Sequence, residues 1–128
     1  MRDFIIKCFH LKGLHRTINL WLVNHIYAGD SKAKYFEKKR RLLIAAGVEI
    51  GEGTKVVGPI YPHGNLIIGK NCWIGKNLVV NGIGTVVIGD NCDIAPEVTF
   101  QTGGHEIGSE ERRAGTGIIF NQSVGSGS

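Results

Sequence analysis

From residue 50 onward the apolar positions recur in steps of six. Ile50, Val56, Ile68, Ile74 and Val80 mark the beat, with Pro62 in the missing step, and after one step of eight it resumes at Ile88, Ile94 and Phe100. A longer self-match supports the repeat, because "IGKNCWIGKNLVV" at 68 aligns with "IGDNCDIAPEVTF" at 88. Six residues with one aliphatic side chain do not suit an α-helix. They suit a short strand followed by a tight corner, three times around a triangular coil. The aliphatic residue then points inward, and the Gly or Ala that follows lets the chain bend. The pattern predicts a mainly β solenoid over residues 49 to 102, with Ile74 and Ile94 as neighbours in one interior ladder.

The chain before residue 49 has a different texture. Ile18, Trp21, Leu22 and Ile26 cluster within a segment spanning 16 to 28 that Gly29 ends, which predicts a helix. Asp30 or Ser31 is placed to cap a second helix, in which Tyr35, Phe36, Leu42, Leu43 and Ala46 recur near helical spacing and Gly47 lies just past the end. Trp21 and Phe36 are expected in the core. The chain therefore divides into a helical segment over 1–48, coils over 49–120 with a loop near 101–116, and a stretch over 121–128. That last stretch, ending in "GSGS", reads as a flexible tail or as the start of another coil.

A length of 128 residues accommodates one domain. No window approaches the ~20 apolar residues of a membrane span. The start "MRDFIIKCFHLKGLH" interrupts its apolar positions with charge and lacks a small-residue cleavage site, so no signal peptide is read and a cytoplasmic location is expected. Cys8, Cys72 and Cys92 are odd in number and lack C-x-x-C spacing, which argues for reduced thiols and against a disulfide framework or a zinc knuckle. Cys72 and Cys92 each precede an inward residue by two, and are expected as stacked core thiols rather than nucleophiles. The net charge of +4 is unevenly spread: residues 1–48 hold ten Lys/Arg against three acids, and residues 49–128 hold five against eight. "KYFEKKRR" is then a solvated helix face, or a contact for an anionic lipid surface, a polyphosphate or nucleic acid. No motif with interleaved aromatics accompanies it, so no nucleic-acid partner is expected.

Candidate chemistry concentrates in "TFQTGGHEIGSEERRAG", where regular structure is expected to break at Gly103 and Gly104 before His105. Such a histidine is either a turn residue or a base, since an imidazole titrating near ~6.5 is suited to moving a proton at neutral pH. Subtracting the displacement of the self-match from Gln101 gives Asn81 and then Tyr61, which predicts one stacked edge near His105. Asn81–Gly82 is also an ordinary turn pair. Glu106, Glu110 and Glu111 are candidate partners for the imidazole, although alternation along a strand turns Glu106 to the opposite face. Arg112 and Arg113 are expected to balance the acids beside them.

"IGKNCWIG", "IGDNCDIAP" and "VTFQTGGHEIGSEERRAG" resemble the bacterial hexapeptide-repeat acyltransferases. The nearest branch is that of the maltose, galactoside, nodulation-factor and polysaccharide O-acetyltransferases, and the likeness covers about residues 40 to 120. The resemblance implies a left-handed parallel β-helix, a homotrimer and active sites between subunits. It implies transfer of an acetyl group from acetyl-CoA to a sugar or polysaccharide hydroxyl, with no metal and no acyl-enzyme. His105 matches the family's general base and Asn81 its acceptor-holding asparagine. Gln101 and Gly104 would complete the substrate site, and Arg112 and Arg113 would face an anionic acceptor or a coenzyme A phosphate. The oxyanion of such an attack calls for donors, either backbone N–H groups of Gly103 and Gly104 or a polar side chain of the facing subunit. Family members run on for more coils that supply much of the coenzyme A groove, so the resemblance also implies a C-terminally truncated chain with an open coil edge. Two rivals share the fold. One is a non-catalytic trimeric scaffold. The other is a carbonic-anhydrase-like metalloenzyme, which needs three histidine ligands, whereas only His63 and His105 lie beyond residue 48.

Overall fold

The computed structural model describes residues 13–107 and 114–128. Helix α1, residues 13–21, runs on into a π-helical turn, Leu22–Ile26, and helix α2 spans Ala33–Ala45. Neither residue expected to cap α2 does so. Lys32 occupies the N-cap without a side-chain bond, and Asp30 instead accepts the Lys32 amide through Oδ1 at 2.9 Å. The other end follows the reading: Gly47, at φ 97°, donates to Ile44 O, and Val48 donates to Leu43 O. This is the paired-bond stop that a left-handed glycine permits.

Beyond α2 the chain passes in turn through three parallel sheets. The first coil holds β1 (Glu49–Ile50), β2 (Lys55–Val56) and β3 (Ile60–Pro62), and the second β4 (Asn65–Ile68), β5 (Trp73–Ile74) and β6 (Leu78–Asn81). The third holds β7 (Thr85–Ile88), β8 (Asp93–Ile94) and β9 (Thr99–Gln101). The faces are β1-β4-β7-β12, β2-β5-β8 and β3-β6-β9, where β12 (Gln122–Val124) starts a fourth pass on β7. Residues 125–128 follow the third coil's corner, since Gly127 N donates to Asp90 O and Ser128 O accepts from Asp93 N.

The hexad residues form the interior ladders. Ile50, Ile68 and Ile88 align on one face, Val56, Ile74 and Ile94 on the next, and Pro62, Val80 and Phe100 on the third. Val56, Ile74 and Val80 are fully buried, and Phe100 packs on the core from its partly open end. Cys72 and Cys92 lie in the same core, their Sγ–H groups directed at Gly89 O (3.0 Å) and Gly125 O (3.2 Å), as expected of structural thiols. Corners turn at left-handed residues, Asn71 and Asn91 both at φ 55°, a conformation asparagine tolerates better than most side chains.

The displacement between coils is not constant. Ile50 pairs with Ile68, and Ile68 in turn pairs with Ile88, so the second step is longer than the first by two positions. The extra pair is absorbed in the corner between β6 and β7. Tyr61 therefore stands opposite Val79 and not in the Asn81–Gln101 row. The His63 amide donates to Val80 O at 3.0 Å, which carries the ladder one residue further and sets His63 level with Asn81.

The helices cover the free backbone edge of the first coil, where unpaired strand groups would otherwise face outward. Asn24 donates to Ile60 O and accepts from Ile60 N, both at 2.9 Å. Arg16 reaches Ala46 O and, at 2.6 Å, Pro62 O, while Arg40 Nε donates to Gly51 O at 2.9 Å. Lys39 departs from the solvated face read from "KYFEKKRR". It is fully buried, and its Nζ donates to Asp30 O and Val57 O at 3.0 Å each above the Phe36 ring. Burial holds its pKa below the ordinary lysine value, with the Asp30 charge opposing that shift. Phe36 is buried as expected, but Trp21 is 52% exposed, because α1 turns Val23 and Asn19 toward the coil instead. No helix among the described residues is long and apolar enough to cross a membrane.

Candidate active site

The two-residue insertion that changes the coil displacement also shapes a cleft. Asn81 closes β6, and Gly82–Ile83–Gly84 then swings outward before β7 begins. Gly82 adopts φ 86°, and a Cβ there would lie 2.6 Å from Thr102 Oγ1, so the corner requires glycine both for its conformation and for its space. Thr102 is fully buried. Its hydroxyl donates to Asn81 O at 2.5 Å and accepts from Gly84 N at 3.0 Å, locking the corner to the end of β9. An unpaired N–H at such a depth would be costly, which explains why a polar residue sits within an apolar stack.

After Thr102 the chain leaves the coil as an antiparallel hairpin, β10 (Gly103–Ile107) with β11 (Ala114–Ile119), where a loop was expected. Strand pairing persists through the glycine pair because β11 returns alongside it: Gly103 faces Ile119, Gly104 faces Ile118, and His105 faces Gly117. The register then shifts between His105 and Ile107, a bulge that places Glu106 at the irregularity and leaves Ile107 opposite Ala114. The His105 side chain lies outside the described residues, as do Glu110, Glu111, Arg112 and Arg113.

Between hairpin and corner lies a cleft of about 510 Å³, lined by Gly82, Ile83, Gln101, Gly103, Gly104 and, from β11, Gly117 to Ile119. Asn81 and Gln101 are Cα partners beside it. The Asn81 amide is partly exposed and has no hydrogen-bond partner among the described residues. The Gln101 amide nitrogen is instead turned back on Gly103 O at 3.1 Å, while its main-chain oxygen accepts from Gln122 Nε2 at 2.6 Å. Asn81, Gln101, Gly104 and the backbone of His105 thus gather at one corner of the coil. His63 lies on the same corner two coils below Gln101, its ring stacked at 6.5 Å on Tyr61. Among the described residues no group of three His, Cys, Asp or Glu side chains is arranged to hold a metal ion.

Thr102 and the isoleucine walls of the cleft escape a reading that follows only the sixfold beat. Their one sequence signal is the step of eight between Val80 and Ile88, which marks the corner that breaks the repeat.

Three parallel faces built on a sixfold period, with a hairpin thrown out at one corner, make a coil that carries a cleft at that corner. Over 116 residues the chain is 36% identical to galactoside O-acetyltransferase of Escherichia coli strain K12. The match takes in 89% of this chain and 55% of that protein, so the chain spans about half the length of the curated relative it matches. No family model and no solved structure matches the chain.

Proposed function

We propose that the protein is an O-acetyltransferase that moves an acetyl group from acetyl-CoA to a hydroxyl of a sugar or polysaccharide precursor. The observation that carries this reading is the 36% identity to a galactoside O-acetyltransferase over a stretch long enough that it must include His105. His105 is the general base. It takes the proton as the acceptor oxygen attacks the thioester carbonyl carbon, the C–O bond forms, the C–S bond breaks, and the proton passes to the departing coenzyme A thiolate. The nucleophile arrives with the acceptor, so no acyl-enzyme forms.

Asn81, whose amide is uncommitted among the described residues, holds the acceptor, and Gln101 and Gly104 border it. Backbone N–H groups of the glycine pair face the oxyanion. The coil is left-handed, and the molecule works as a homotrimer with the cleft closed by a neighbouring subunit. The donor is a cytoplasmic metabolite, which places the reaction in the cytoplasm.

The test is steady-state acetyl transfer with acetyl-CoA and a panel of saccharides, read as release of the coenzyme A thiol together with the acetylated product. Turnover with at least one saccharide is expected. Failure to bind acetyl-CoA or to acetylate any hydroxyl would instead support the non-catalytic scaffold.

A further inference from the structure

Helix α1 and the π-helical turn after it show two different faces. The inner side carries Asn19 and Val23, both buried against the coil. The outer side carries Leu14, Ile18, Trp21 and His25, spaced by four, three and four residues, which sets them in one stripe. Leu14, Ile18 and Trp21 are each about half exposed, as is Ile26 at the end of the helix (56%), and Trp21 lies against His25 with ring centroids 5.3 Å apart. A contiguous exposed apolar stripe of this kind marks a surface that another body covers. Among the described residues nothing covers this one.

At the end of the π-helical turn an aromatic and basic cluster adjoins Ile26. Tyr27, next to Ile26, packs on Tyr35 of α2 at 5.4 Å between centroids. Lys34 Nζ lies 4.8 Å from the Tyr35 ring and Lys38 Nζ 5.8 Å from the Tyr27 ring, and Lys32 and Lys34 are exposed. The order of neighbours thus runs from the aliphatic and indole side chains through Ile26 and Tyr27 to the Tyr35 ring and the lysines. Residues 1–48 hold ten Lys/Arg against three acids, so the patch lies in the positive part of the chain.

From this juxtaposition we infer that the outer face of α1, with Tyr27, Tyr35 and the lysines beside them, is a docking surface for an anionic phospholipid membrane. Charge complementarity decides the occupant. A second copy of the same patch would set lysines against lysines, whereas a bilayer carrying acidic headgroups meets the lysines with negative charge and the stripe with acyl chains. Tryptophan and tyrosine suit the boundary between the two, having an apolar body and a polar edge. The helix lies in the interface and does not span it, as its length requires. The inference is independent of the reaction proposed above.

Trp21 and Trp73 are the two tryptophans of the chain, so Trp73→Phe leaves Trp21 as a single reporter inside the patch. Vesicles of phosphatidylcholine and phosphatidylglycerol at roughly two to one, and of phosphatidylcholine alone, are the two probes. Flotation with the anionic vesicles and a blue shift of Trp21 emission are expected, both weakened by added salt. Ile18→Ser with Trp21→Ser, and separately Lys34→Glu with Lys38→Glu, should each lower partitioning about tenfold or more. These side chains lie outside the core, so circular dichroism should stay unchanged, and the blue shift reads the surface without altering it. The inference is overturned by absence of flotation and of any blue shift, by equal binding to both vesicles, or by binding indifferent to both double variants. A drop in oligomer mass on changing Ile18 and Trp21, with no lipid binding, would also overturn it and would assign the stripe to a second copy of the chain.

Discussion

Asn81 and Gln101 stand opposite each other in neighbouring parallel strands, and the buried hydroxyl of Thr102 ties Asn81 O to the residue that follows Gln101. The main chain of Asn81 thus holds the corner, while its side chain makes no hydrogen bond among the described residues. Replacing the side chain and replacing Thr102 should therefore have different consequences.

Asn81→Ala should leave the unfolding midpoint nearly unchanged. It should lower kcat/KM for the saccharide by about tenfold, the scale of one lost hydrogen bond. The effect should fall on the acceptor and spare the KM for acetyl-CoA. Initial rates with each substrate varied in turn check this.

Thr102→Val should act on stability first. It leaves the Gly84 N–H without its acceptor at a fully buried position, for an expected cost of about 1–3 kcal/mol in chemical denaturation. Thr102→Ser, which keeps the hydroxyl, should recover most of that loss.

For His105→Ala, acetyl transfer should drop by about 100-fold or more, the usual range for a missing general base. Donor affinity should be little changed, since a base acts on the barrier to attack rather than on ground-state binding. His63→Ala, two coils below Gln101, should stay within a few-fold. An unimpaired turnover number for folded His105→Ala would leave that residue as an ordinary member of β10.

The interior ladder has its own test. Ile74 is fully buried and pairs with Val56 below and Ile94 above, so Ile74→Ala should destabilise the fold by about 2–5 kcal/mol through lost transfer energy and an unfilled cavity. Urea unfolding followed by circular dichroism reads this directly.

Lys39 predicts a pH dependence. Its pKa in the folded chain is lowered by burial, whereas the unfolded lysine titrates at its ordinary 10.5. Below the folded value both states carry the proton, and the native state bears the full desolvation penalty. As pH rises from that value toward 10.5 the unfolded chain holds more protons, so this group makes the protein more stable across that window. Denaturation midpoints measured over a pH series should show the rise, and Lys39→Met should flatten it.

The coil was legible in the sequence because its cause is local. A pleated strand alternates its faces and a corner needs a small or left-handed residue, so one aliphatic residue in six is enough to mark the inward row. Ile74 and Ile94 could be paired on that basis alone, and the thiols of Cys72 and Cys92 assigned to the core. Register between coils is not local. It depends on how much chain each corner absorbs, and the step from Ile50 to Ile68 is shorter than the step from Ile68 to Ile88, which puts His63 rather than Tyr61 level with Asn81. The hairpin at Gly103 to Ile119 likewise exists because β11 returns to supply its partners, which no short window around His105 reveals. Trp21 and Lys39 exchanged their expected places for the same reason: periodicity shows that a helix has an apolar side, but the partner it packs on determines which side is buried. Here the exposed backbone edge of the first coil selected Val23, Asn24 and the Lys39 ammonium, since its carbonyls required donors, and left the indole outside.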